Sequence, residues 1–496
     1  MKLIRIFLIL LLFTPSSVST QIPSQSEEDD ETYFGWYWGS AGILSVLFDL
    51  LSANVGDSNF KGELTNLINR GLDGLWENRL MIDNGSKIAS WSKIENGSIY
   101  PGMKYGVTGI IKTFLRAYTL LNNETYLNWI DESFQQLIRE SDHTSQYLSW
   151  PYNYENIQNN TGIVVNDINF GGLGIIDTIL DYYNKTNNIE LLSYAISIAE
   201  WLYKASFISS GESLYQLLPW YSIDFTTTEI QTSYLTGMAG TIPVFSRLSL
   251  ATSNTTWINW AQNISTWYID HQEQNGSWKF DPQDPTSFYY TSFENGVLGI
   301  IVALSIGKSL GIELDLSQTI DNGLLWLKNQ IIMNHTHLSI PIFTGANFYR
   351  NGYLRGLLGI IDVFSEYPMY KDFSLELLEM FLETNTYTFS KKGKTCIGMY
   401  SIDDNEPFLD LSFADGVSGL IHILIKFYTK GLIEKAKMDN YAKKYLETLI
   451  VFMNVDNLWP RQVPINQFIR NNLFIYFSSA VMMTIMLYIL KIKKKS

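Results

Sequence analysis

Asn169-Phe170-Gly171-Gly172-Leu173-Gly174-Ile175-Ile176 carries a small-residue signature, G-x-x-G followed by an apolar run, that recurs along the whole chain. The pairs are Gly39/Gly42, Gly106/Gly109, Gly171/Gly174, Gly237/Gly240, Gly296/Gly299, Gly356/Gly359 and Gly416/Gly419. The first glycines are separated by 67, 65, 66, 59, 60 and 60 residues. Seven copies in near-constant register make an internal repeat, and the repeat governs how each local feature is read.

Within the third repeat, Gly174 to Tyr183 has apolar residues at helical spacing. Asn184 to Asn188 reads as a turn and Ile189 to Lys204 as a second amphipathic helix, so the unit is an αα-hairpin. The second helices carry a register mark: Trp201, Trp267 and Trp326 each fall 30 residues after the first glycine of their repeat. Short strand-like stretches follow them, such as Ser213 to Leu218 and Thr395 to Tyr400. Repeats four and seven also share Tyr-Ser-Ile-Asp, at Tyr221 to Asp224 and Tyr400 to Asp403, ending 13 residues before the first glycine.

Glycine is costly inside a helix, so a pair at each helix start marks a sharp backbone bend and close helix approach. Three places before each first glycine stand Trp36, Met103, Ile168, Tyr234, Phe293, Tyr353 and Phe413, a column of large apolar groups expected in the core. The other places just ahead of the glycines vary between repeats, and functional chemistry is expected there. They supply Trp38, Lys104, Tyr105, Asp167, Asn169, Thr236, Glu294, Asn295, Arg355 and Asp415.

The 496 residues are 46% hydrophobic and 17% charged, which is a globular composition. The net charge of -14 argues against a nucleic-acid partner, because phosphate binding needs a basic face. Lys2, Arg5, the apolar run Ile6 to Phe13 and a small polar stretch to Thr20 read as a signal peptide over 1–20. An acidic linker follows over 21–32. Leu473 to Leu490 is long enough and uncharged enough to span a bilayer. Lys491, Lys493, Lys494 and Lys495 then place the 491–496 tail on the cytoplasmic side. The expected location is the cell membrane, single-pass, with the large domain outside. Nine N-x-[ST] sequons, at Asn84, Asn96, Asn123, Asn159, Asn184, Asn254, Asn263, Asn275 and Asn334, agree with a secretory route. Cys396 is the only cysteine, so no intrachain disulfide forms and packing must supply the stability.

Seven αα-hairpins, each marked by G-x-x-G and an apolar residue at the start of one helix, resemble the lanthionine synthetase C-like (LanC-like) family over residues 33–460. The resemblance implies an all-α, seven-fold α/α toroid: a double ring of αα-hairpins with a cavity where the loops before the inner helices converge. It also implies zinc-assisted addition of a cysteine thiol to a dehydrated serine or threonine. In the family, a cysteine two places before the fifth motif and a Cys-His pair before the sixth hold the metal. A histidine before the fourth motif and an aspartate before the third move protons. In this chain those positions are Glu294, Leu354-Arg355, Thr236 and Asp167. Only Asp167 fits; leucine offers no donor and arginine repels a cation, so no metal or other cofactor is expected. His422 reads as a core histidine, and His335 and His337 as water-facing.

Two functions follow. The first is an extracytosolic, membrane-anchored toroid acting on peptide or carbohydrate in a central cavity. Asp167, Glu294 and Asp415 are its candidate catalytic carboxylates, and an acid of the cavity, for instance Glu294, is expected to carry a raised pKa. Trp36, Trp38, Lys104, Tyr105, Asn169, Thr236, Asn295 and Arg355 are the candidate substrate contacts. The alternatives are a non-catalytic peptide- or glycan-binding module, or an enzyme resembling the six-hairpin glycosidases that uses paired acids. Asp167 and Asp415 also suit helix capping.

Overall fold

The computed structural model describes residues 32–464, apart from 81–86, 93–98, 142–146, 152–162, 210–212, 223–224, 335–336, 347–348 and 401–407. Seven helical hairpins follow one another. They are α1 (Ser40–Ser52) with α2 (Ser58–Glu77), α3 (Val107–Leu121) with α4 (Glu124–Arg139), α5 (Gly172–Thr186) with α6 (Ile189–Ala205), and α7 (Thr241–Thr252) with α8 (Thr255–Asp270). The last three are α9 (Val297–Ser309) with α10 (Ser317–Gln330), α11 (Leu357–Phe364) with α12 (Lys371–Thr384), and α13 (Val417–Thr429) with α14 (Lys435–Phe452).

Odd-numbered helices form the inner ring and even-numbered helices the outer one. Each inner helix packs on the next, and α13 returns to α1, so the ring is closed. The apolar pattern explains the division. Helix α1 buries residues on nearly every side, whereas α2 buries one stripe that includes Leu64, Leu67, Ile68, Leu72 and Leu75. Trp201, Trp267 and Trp326 are all buried on outer helices, as their register suggests.

The turn between the inner and outer helices of the third repeat is shorter than the sequence suggests. Helix α5 runs through Asn184 and Lys185 to Thr186, leaving Asn187 and Asn188 as the whole connection. Asn187 takes the left-handed conformation at φ 54°, and the Asn188 side chain accepts from the Leu191 N–H to cap α6. Asparagine tolerates both tasks, which is why Asn-Asn suffices. Asn122 and Asn123 repeat the arrangement between α3 and α4.

Each loop before an inner helix folds so that a carbonyl six places before the first glycine comes over the helix start. Val107 N–H, for example, donates to the Tyr100 carbonyl, and Val297 N–H to that of Tyr290. A Cβ on any of the seven first glycines would stand 1.8–2.4 Å from that carbonyl oxygen. The second glycine is a notch for the preceding repeat. A Cβ on Gly109 would meet Trp36, on Gly299 Tyr234, on Gly419 Tyr353 and on Gly42 Phe413. Glycine is therefore required here by close approach and not by an unusual φ, since the first glycines are all extended.

A hoop of seven hydrogen bonds ties the loops together. The residue two places before each first glycine donates its N–H to the carbonyl of its counterpart in the next repeat. The series is Lys104 to Asn169 (2.8 Å), Asn169 to Leu235 (3.0 Å), Leu235 to Glu294 (3.4 Å), Glu294 to Leu354 (2.9 Å) and Leu354 to Ala414 (2.9 Å). Ala414 to Tyr37 (2.8 Å) and Tyr37 to Lys104 (3.5 Å) close it. All seven residues are buried, so the hoop satisfies backbone groups that water does not reach.

The first and last described segments meet at the seam between repeats seven and one: Trp459 N–H donates to Ser40 Oγ at 3.1 Å, and Thr32 pairs with Pro460. Short antiparallel pairs form from the segments that flank the hairpins, the longest being Thr386–Lys391 with Lys394–Met399, which holds the buried Cys396. The signal peptide, nearly all of the acidic linker, the span Leu473 to Leu490 and the basic tail lie outside the described residues, as does His335. Among the described residues, no helix is long and apolar enough to cross a membrane.

Candidate functional site

The hoop divides the centre of the ring into two sides, and side-chain alternation decides which residue faces which. Residues one place before each first glycine are Trp38, Tyr105, Phe170, Thr236, Asn295, Arg355 and Asp415, and all but Trp38 are half-buried around the loop-side mouth. Those three places before look the other way, into the barrel of inner helices. Trp36 and Trp38, expected to work together, therefore lie on opposite sides.

Side chains in the plane of the hoop meet at Glu294. Its Oε1 accepts from Lys104 Nζ at 2.6 Å and from Asn169 Nδ2 at 3.0 Å, and its Oε2 accepts from Arg355 Nε at 2.6 Å. Burial pushes the Glu294 carboxyl up, but the Lys104 and Arg355 charges outweigh it and hold the group below its ordinary value. The expected raised pKa is thus not found at Glu294. It is found at Asp167, which burial pushes up to about 7 although the Phe170 N–H and Lys104 pull the other way.

Trp38 is fully buried and works as a strut. Its Nε1–H donates to Asp415 Oδ2 at 3.0 Å. Lys104 Nζ sits 4.4 Å from its ring centroid, and the Arg355 and Arg461 guanidinium carbons lie 4.8 Å and 5.6 Å away. Lys104 also lies over Phe170 at 5.0 Å and Tyr105 at 5.4 Å, so its ammonium occupies an aromatic cage. Thr236 and Asn295 pair with each other, Thr236 Oγ1 donating to Asn295 Oδ1 at 2.9 Å.

The first glycines, not Asp167 or Asp415, take the cap positions of α5 and α13, so neither acid caps a helix. Asp167 Oδ1 accepts instead from Phe170 N–H at 2.7 Å, inside the loop. Arg461 and Phe170 belong to the site but were not singled out in the sequence. Phe170 had a signal, since it occupies the same repeat position as Trp38 and Tyr105. Arg461 had none, because it arrives from beyond the last repeat.

The barrel side is charged in a pattern the repeat encodes. Six and ten places after the first glycine stand Asp49, Lys112, Arg116, Asp177, Asp181, Arg247, Asp362, Glu366, His422 and Lys426, so six of the seven inner-helix segments carry an ionisable group there. They pair around the ring: Arg116 with Asp49, Lys112 and Arg247 with Asp177 and Asp181, and Lys426 with Asp362. His422 belongs to this belt, its Nδ1 2.9 Å from Asp49 Oδ2, and is not a sequestered core histidine. A cavity of about 700 Å³ opens on this side between α1, α3 and α5.

A zinc ion does not fit the loop-side centre. Glu294 has both oxygens engaged by cations or an amide, and Leu354 and Arg355 cannot ligate. Among the described residues no three His, Cys, Asp or Glu side chains cluster as metal ligands.

Residues 228–472 match the family model described as lanthionine synthetase C-like protein. Among solved structures, the chain is similar to nisin cyclase, with 16% identity and a TM-score of 0.51 over 84% of this chain and 93% of that one. It is also similar to cellobiose 2-epimerase from Bacillus thermoamylovorans B4167, with 11% identity and a TM-score of 0.45 over 67% and 91% of the two chains. The likeness to nisin cyclase is one of fold. No curated protein sequence matches the chain.

Proposed function

Because the chain belongs, over residues 228–472, to the lanthionine synthetase C-like family, we propose that it uses the ring to hold a peptide or carbohydrate at the loop-side centre, without zinc-assisted thiol addition. The observation that carries this reading is the Lys104–Glu294–Arg355 triad, in which Glu294 and Arg355 stand at positions where the family resemblance puts zinc ligands. A built-in ammonium and guanidinium balance Glu294 where a metal would be needed.

What the centre offers a ligand is acceptors and rings. Asn169 Oδ1 and Asp415 Oδ1 are buried and meet no donor among the described residues. Sugar hydroxyls or peptide N–H groups supply donors, while half-buried Tyr105 and Phe170 offer faces for stacking. Elemental analysis of the purified chain after dialysis, together with glycan and peptide arrays, tests the reading. Zinc well below one equivalent is expected, with array binding weakened by Asp415→Asn. One zinc per chain, or thiol addition to a dehydrated peptide, overturns it.

A second reading rests on the opposed shifts of Asp167 and Glu294. Two acids whose surroundings push them apart suit a proton donor and an ionised partner. Under that reading Asp167→Asn abolishes turnover of a bound glycan or peptide while leaving its affinity unchanged; turnover at the parent rate rejects it.

The proposal also sets the ring outside the cytoplasm, tethered through 473–490, with the sequons and the terminal segments as support. Carbonate-resistant membrane fractionation and a mobility shift on deglycosylation test it.

A further inference from the structure

The cavity on the barrel side is remote in the sequence register from the loop-side centre, and nothing in the proposed function uses it. Its floor is Trp36, Phe48 and Leu115, its inner wall Lys112, Arg116 and Asp181, and its rim includes the exposed Thr119 and Lys185. At about 700 Å³ it falls within the range of small-molecule sites.

Two features select the ligand. The ionisable lining is three cations, Lys112, Arg116 and Lys185, against one carboxylate, Asp181. That carboxylate is itself engaged, by Lys112 at 2.7 Å and by Arg247. Asp49 and Asp177, the other acids of this part of the belt, are turned to Arg116, His422, Lys112 and Arg247. Counting these partners, the four cations Lys112, Arg116, Arg247 and Lys185 face the three carboxylates Asp49, Asp177 and Asp181, so the surplus is one positive charge, left by the exposed Lys185, in a chain whose net charge is -14. The second feature is the aromatic and aliphatic floor, with Arg116 held against the Phe48 ring at 5.8 Å. We propose that this cavity is a second ligand site, on the opposite side of the hoop from the first, for a small organic anion with a flat apolar body. The carboxylate lies toward Arg116 and Lys185, and the apolar body lies on Trp36 and Phe48.

Isothermal titration of the full-length chain with 3-phenylpropionate and its neutral amide tests the assignment. The parent chain is expected to bind the anion about tenfold more tightly than the amide, the ratio contributed by one charge-assisted contact. Arg116→Gln removes that preference while the amide still binds. Thr119→Trp, an exposed rim change that leaves every ion pair in place, blocks both probes. Should Arg116→Gln fail to fold, Lys185→Gln on the exposed rim reads the same preference. Equal binding of the two probes by the parent chain, no binding at millimolar probe, or unchanged binding by Thr119→Trp overturns the proposal.

Discussion

Both sides of the hoop carry charges, and they use them differently. On the loop side one carboxylate, Glu294, sits with 1% of its side chain exposed between Lys104 and Arg355. On the barrel side the charges are spread over several inner helices and all but Asp362 keep partial access to water, as with Glu366, whose side chain is 51% exposed. A buried charge depends on its particular partner, because removing the partner leaves a desolvated ion. A wet charge shares several partners and is screened when one is lost. The loop side is therefore rigid by electrostatics, and the barrel side is adjustable.

The sharpest way to break this contrast is Lys104→Met. It leaves the buried Glu294 with Arg355 and Asn169 alone, and chemical denaturation is expected to show a loss of about 3–5 kcal/mol. A double change, Lys104→Met with Glu294→Leu, should recover most of it. A single-variant loss under about 1 kcal/mol would mean that water reaches the centre and that the two sides do not differ.

An effect of similar size is expected from pH. Asp167 has a carboxyl pKa of about 7 in the fold against 3.8 ordinarily, so the folded chain favours the protonated form. Below the ordinary value the group costs nothing; stability falls as pH rises toward 7 and stays reduced above it. Asp167→Asn should remove that decline, with a gain of about 4 kcal/mol at alkaline pH and almost none near pH 4. Thermal melts across this range read the difference, and parallel curves for parent and variant would show Asp167 to be ionised in the fold.

The smallest expected effect is on the belt. Lys430→Met removes a contact to Glu366, whose side chain is 51% exposed and keeps Lys426 at 3.4 Å. A loss of about 1 kcal/mol or less is expected in the same denaturation measurement. A loss rivalling that of Lys104→Met would show the barrel side to be as dry as the loop side.

Much of the fold was legible because a repeat writes itself into sequence. Close approach admits only glycine at the helix starts, so Gly39 through Gly419 mark the hairpins, and the tryptophans of α6, α8 and α10 mark their buried faces. The belt was equally regular, six and ten places after each first glycine, yet it passed unread because each charge looks like an ordinary interruption of an apolar helix. Only the common register makes it a pattern.

The sequence by itself determined the number of hairpins, the residues that line the loops and the loss of the usual zinc ligands, since these depend on residue type and on separations along the chain. Tertiary structure alone decided the partners. Lys104 and Glu294 are 190 positions apart, and Arg461 and Trp38 meet only where the last segment crosses the first repeat. It also decided that Trp36 and Trp38 face opposite sides, and that the raised acid is Asp167 and not Glu294. A pKa follows from burial and from the charges that face a group across space, and the closing of the ring sets both.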